Sequence, residues 1–128
     1  MILLDTSVLI DALTGPGRSS AALRRAIADG ERVLLPALVL YEWLRGPRRP
    51  EELVAQEALF PREAAVPFAT PEAALAAGLY SRIRKARGRE IDLAIAACAL
   101  VRNAQLWTLN TEDFADIPDL EVSAPEAT

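Results

Sequence analysis

Three acidic residues stand in stretches that are otherwise almost wholly apolar: Asp5 in MILLDTSVLI, Glu42 in ALVLYEWL and Asp92 in IDLAIAACAL. A carboxylate enters an apolar environment at a cost, and there it is normally paired or bound to a metal. None of the three has a Lys or Arg within its own stretch. Brought together, they repel one another and push one of their number toward protonation unless a cation sits among them. The simplest arrangement is a set of hard oxygen ligands around Mg²⁺ or Mn²⁺. Any one acid taken alone is more readily a helix cap or a solvated position; three in the same setting favour the metal.

The chain has no histidine and a single cysteine. That excludes a Ser-His-Asp triad, a Cys-His pair, an imidazole base for RNA cleavage and nearly every zinc pattern. Carboxylate–metal chemistry is what remains for hydrolysis. Cys98 lies in an apolar segment and reads as a small core thiol.

With 128 residues, 52% of them hydrophobic, one domain spanning 1–128 with a substantial core is expected. No apolar run approaches a membrane span. No basic region precedes the N-terminal apolar stretch, so no secretory signal is expected, and one Cys fits a reducing cytoplasm. The net charge of −4 argues against general coating of nucleic acid. The cations are unevenly placed, however. Arg45, Arg48 and Arg49 follow Glu42, and Arg82, Arg84, Lys85, Arg87 and Arg89 precede Asp92. They are candidates for phosphate contacts beside an acidic centre, and equally for a solvated helix end.

Strands are expected at residues 2–5, 32–35, 65–68, 106–109 and 120–122. Helices are expected from Thr6 or Ser7 to Leu13, from Ser19 or Ser20 to Asp29, from Pro36 to Gly46, over 50–60, from Thr70 to near Gly88 and over 91–103, with one helical turn after Thr111. Leu23, Ala26 and Ile27 are expected on one buried face, and Leu75, Leu79 and Ile83 on another. Alternation of strand and helix implies a short parallel sheet of four to five strands covered on both faces, an α/β three-layer sandwich. Such sheets bind ligands at the carboxyl ends of their strands, where Asp5 and Asn110 both fall.

The blocks MILLDTSVLID, YEWLRG, GREIDLAIAACAL and TLNTEDF, in that order, resemble the PIN-domain family, specifically the VapC-type toxin ribonucleases. Each block alone is a weak signal; four in order across the chain are strong. The resemblance implies a metal-dependent endoribonuclease, the toxin of a toxin–antitoxin pair, dimeric and blocked by a small antitoxin. It implies that Asp5, Glu42 and Asp92 ligate metal. Asp113 is favoured as the fourth acid, with Asn110 as a neutral supporting ligand. Thr6 and Ser7 resemble hydroxyls that orient Asp5 or a water, and simple helix capping is the competing reading.

Residues 38–44 form a helix with almost no polar face apart from Glu42, so it is either deeply buried or covered by another chain. The resemblance favours cover by a second protomer or an antitoxin, through Leu38, Tyr41, Trp43 and Leu44. Trp107 reads as core, and Asp11 as solvated or capping. Two rival readings stand beside the ribonuclease. A haloacid-dehalogenase-like phosphoryl-transfer enzyme would use Asp5 as nucleophile, but it usually carries a second Asp where this chain has Ser7. A non-catalytic PIN-fold binding module would have no need of Asp5, Glu42, Asp92 and Asp113 together.

Overall fold

The computed structural model describes residues 1–125. Its elements run β1 (Ile2–Leu4), α1 (Thr6–Leu13), α2 (Ser20–Ala28), β2 (Val33–Leu34), α3 (Ala37–Arg45), α4 (Pro50–Leu59), a 3-10 turn (Arg62–Ala64), α5 (Thr70–Arg82), α6 (Glu90–Val101), β3 (Gln105–Trp107), a second 3-10 turn (Thr111–Phe114) and β4 (Val122–Ser123). The strands form one sheet in the order β2-β1-β3-β4, parallel at every pairing. Helices flank it, so the α/β reading with a parallel sheet holds.

Buried β1 lies inside the sheet, with Ile2, Leu3 and Leu4 sealed from solvent. Its register with β3 pairs Leu4 with Trp107. Asp5 and Thr108 therefore leave the same edge side by side. Helix α6 is sealed from Leu93 to Ala99, as its composition implies. Asn103, at φ 55°, ends it in the left-handed region that Asn tolerates. Cys98 lies buried inside α6, and burial pushes its thiol up to about 11, which leaves it an inert core group.

The expected strand at 65–68 is a single bridge. Val66 donates its N–H to Leu35 O and accepts from Ala37 N–H, at 2.8 and 2.7 Å. Pro67 follows and has no N–H to extend the ladder. Helix α5 stops at Arg82, short of Gly88, because Ile83 is extended and Lys85 has φ 58°. Strand β4 starts at Val122, later than expected. Ile27 is 42% exposed; the buried stripe of α2 is Ala22, Leu23 and Ala26.

Trp43 was expected at a partner surface and is instead core. It is fully buried with Val39, while Leu38, Leu40 and Leu44 pack partly buried against the same core. Arg48 closes over it, with its guanidinium 4.2 Å from the ring centroid and its Nε–H donating to Trp43 O at 2.9 Å. The apolarity of α3 is thus mostly absorbed by its own domain. Trp107 is half-buried against the core and donates from Nε1 to Gln105 Oε1. Asp11 is not simply solvated, since it accepts from the buried Ser19 hydroxyl at 2.6 Å and ties α1 to the start of α2.

Glu72 is buried in the first turn of α5. It accepts the Ala69 N–H, and Arg102 donates to it at 2.7 Å from the end of α6. The Arg102 hydrogen bond is the main cause holding its carboxyl below the usual 4.5. A depressed carboxylate contributes stability above its unfolded pKa and loses it as pH falls through the folded one. Glu72→Ala should cost about 1–3 kcal/mol at neutral pH by stranding Arg102. The gap to wild type should narrow as pH drops below 4.5. Urea titrations at neutral and acid pH measure both, and a gap that widens on acidification would contradict the pairing.

Candidate active site

The site is built on the carboxyl edge of β1 and β3. Asp5 follows β1 and is 6% exposed. Its main chain starts α1, accepting from Val8 and Leu9, yet its side chain does no capping. Oδ2 accepts instead from Ser7 Oγ at 3.0 Å and from Thr108 Oγ1 at 2.7 Å. Those hydroxyls are themselves held: Leu109 N–H donates to Ser7 Oγ and Asn110 N–H to Thr108 Oγ1, each at 3.0 Å. With Oδ2 so occupied, Oδ1 is the oxygen left for a ligand.

Thr6 donates to Glu42 Oε1 at 2.6 Å, and Arg45 Nη2 lies 3.7 Å from Glu42 Oε2. Thr6 and Ser7 therefore orient the two acids, and neither caps the helix that they open. Thr108, fully buried, is the site residue that sequence reasoning missed. The signal was the Thr of TLNTEDF, in register with Asp5 once β1 and β3 pair.

Asp92 is the third residue of α6 and half-buried. Burial raises its pKa above the ordinary 3.8, and the charges of Asp5, Asp113 and Glu42 raise it further, against the pull of Arg89. The four acids thus share one electrostatic neighbourhood. Asp113 sits exposed on the second 3-10 turn, whose Phe114 is buried beneath it. Asn110 is exposed at the start of that turn, with no side-chain hydrogen bond among the described residues.

The cations divide into two sets. Arg89, expected as a phosphate contact, is instead a clamp. It donates to both oxygens of Asp116 at 2.7 and 2.8 Å, and to Asp113 O at 2.8 Å. It fastens the Asp113 turn to the start of α6, and its side chain is only 22% exposed. Arg48 is committed to Trp43. Arg82, Arg84, Lys85 and Arg87 are exposed, with no carboxylate partner among the described residues, around the anchored Ala86. Arg49 is exposed at the start of α4.

Among the described residues no three carboxylates are drawn close enough to enclose an ion as the side chains stand. Glu42 is drawn to Thr6 and Arg45. The donor set still fits a hard divalent cation: every candidate ligand is oxygen, and the charges of the other three acids add to burial in raising the pKa of Asp92. Because the raised pKa means that folded Asp92 holds its proton more tightly than the unfolded chain does, ionising it removes stability as pH rises through and above 3.8. Asp92→Asn should lift that penalty, so in EDTA at neutral pH it should melt at or above wild type. A clear drop in melting temperature would make Asp92 a structural residue.

The model of the PIN domain matches residues 2–120. Ribonuclease VapC19 of Mycobacterium tuberculosis is 35% identical over 125 residues, covering 94% of this chain and 98% of its own. Among solved structures, FitAcB of Neisseria gonorrhoeae superposes with a TM-score of 0.70 at 25% identity, over 98% of each chain. DNA-bound VapBC of Salmonella typhimurium gives 0.77 at 21% identity, over 96% of each chain, a likeness of fold. With Ser7 donating to Asp5 where a dehalogenase carries its second Asp, and with this match along nearly the whole length, the haloacid-dehalogenase reading falls. The chain belongs to the PIN-domain family and, within it, to the VapC type.

Proposed function

We propose that this chain is a metal-dependent endoribonuclease, the toxin of a type II toxin–antitoxin pair, hydrolysing RNA phosphodiester bonds. What supports it is that Asp5, at the carboxyl edge of β1, and Glu42 and Asp113 lie near enough to Asp92 for their charges to raise its pKa, in a protein without histidine. VapC nucleases are metal-dependent in general; Mg²⁺ or Mn²⁺ is the proposed ion here, held by those four acids with Asn110 in support. When bound, it neutralises phosphate charge and lowers the pKa of water.

The chain's own residues do the positioning. Ser7 and Thr108 lock Asp5, and Thr6 steers Glu42. Arg89 holds the Asp113 turn against α6. Arg45 lies 3.7 Å from Glu42, and Arg82, Arg84, Lys85 and Arg87 offer a track for the RNA backbone. Leu38, Tyr41 and Leu44 remain the proposed antitoxin contacts, beside Glu42, where an inserted basic side chain would meet the acids. The relatives solved as VapBC complexes support such a partner; a homodimer is proposed on the family resemblance alone. The working compartment is the cytoplasm; no helix among the described residues is long and apolar enough to cross a membrane.

Wild type should cleave single-stranded RNA in Mg²⁺ and not in EDTA, and Asp92→Asn should lose roughly 100-fold or more in rate. Mn²⁺ titrated calorimetrically into Glu42→Gln should bind more weakly than into wild type. Equal heats would take Glu42 out of the site.

Reversing charge at Arg84, Lys85 and Arg87 should weaken RNA binding in the Asp92→Asn background. The slope of log affinity against log salt should flatten by roughly two. A slope unchanged from the parent would return this loop to plain solvent exposure.

A further inference from the structure

Tyr41 is 56% exposed, more than any other aromatic side chain among the described residues. In the stretch 38–44 it and Glu42 alone stay out of the core; Leu38, Val39, Leu40, Trp43 and Leu44 all pack into it. Nothing in the fold requires a large ring there. The ring is not isolated, because the Arg45 guanidinium carbon lies 5.4 Å from its centroid. The same guanidinium reaches to 3.7 Å from Glu42 Oε2. One cation thus spans the aromatic face and the acidic site. On another side of the site, Leu109 is 45% exposed and held by its N–H to Ser7 Oγ, next to the Thr6 that touches Glu42.

We infer that Tyr41 is a base-stacking residue, its ring holding an unpaired base of the RNA next to a phosphate that Arg45 would engage beside the acids. An exposed ring beside a cation is what sequence-tolerant binding of single strands uses, since every base has a stacking face while only phosphates answer to charge. The inference rests on the ribonuclease reading.

The test uses the full chain carrying Asp92→Asn, in EDTA, with a labelled single-stranded oligoribonucleotide of mixed sequence, followed by fluorescence anisotropy. Adding Tyr41→Ala should weaken binding roughly 5- to 150-fold. Tyr41→Phe should bind as the parent does, since stacking needs the ring and not the hydroxyl. The salt slope should stay as in the parent, because no phosphate contact is lost. An abasic oligonucleotide should bind the parent and Tyr41→Ala alike. In Mg²⁺, with Asp92 intact, Tyr41→Ala should raise KM and leave kcat nearly unchanged.

Undiminished binding by Tyr41→Ala would overturn the inference, also if that variant loses antitoxin, which would make the ring a partner contact only. An equal loss in Tyr41→Phe would overturn it as well, by pointing to the hydroxyl. A wild type that cleaves no RNA in Mg²⁺ defeats the ribonuclease reading itself, whereas cleavage with an unaltered KM in Tyr41→Ala defeats this inference alone.

Discussion

Asp5 Oδ2 lies between the hydroxyls of Ser7 and Thr108, and main-chain N–H groups fix both hydroxyls in turn. This small lattice joins the first strand to the third across their shared edge. It can form only because Leu4 pairs with Trp107, which sets Asp5 beside Thr108. A slip of one residue would turn the alternate side chain toward the site. The register is secured by the sealed side chains of β1 and by Leu106 of β3. Core packing therefore aims the first carboxylate, and the helices bring the other acids to it.

Collecting like charges in this way works against stability. The raised pKa of Asp92 is the visible sign, with burial as its first cause and three acidic neighbours behind it. Apart from Arg45, 3.7 Å from Glu42, the fold restrains the acids with groups that leave their charge in place. Hydroxyls hold Asp5 and Glu42, and Arg89 grips Asp116 and the Asp113 carbonyl in preference to the Asp113 carboxylate. An arginine paired directly with each acid would cancel the field that a divalent cation answers. A divalent cation held there, as proposed, would relieve that repulsion, so ion affinity and apo stability would oppose each other.

Much of this was legible in the sequence, for reasons particular to each residue. Asp5, Glu42 and Asp92 stood out because a charge in an apolar stretch is rare. The start of α5 was announced by Thr70-Pro71-Glu72, and α6 by a composition that no surface helix could carry. Thr108 gave no such signal, because a hydroxyl at a strand end is ordinary until the strand pairing is known. Trp43 was misplaced because apolarity all round a helix cannot tell the domain's own core from another chain's cover. The segment 65–68 looked like a strand by composition, and Pro67 limited it to one bridge. Arg89 was indistinguishable from its basic neighbours, since its partner Asp116 is remote in sequence and adjacent only in space.

That last distinction bears on how an acidic protein handles RNA. Of the cations flagged near the acids, Arg48 is spent on Trp43 and Arg89 on Asp116, and both shape the fold. Arg82 at the end of α5, with Arg84, Lys85 and Arg87 on the loop pinned by Ala86, leaves a local positive surface on a chain of net charge −4. Exposed charges farther apart than a Debye length, about 8–10 Å near physiological salt, are largely screened from one another. A polyanion then responds to the loop's local charge more than to the chain's total. The acidic remainder disfavours indiscriminate coating, so under the proposed function productive contact would be confined to the stretch of RNA that can lie along the loop and reach the carboxylates together.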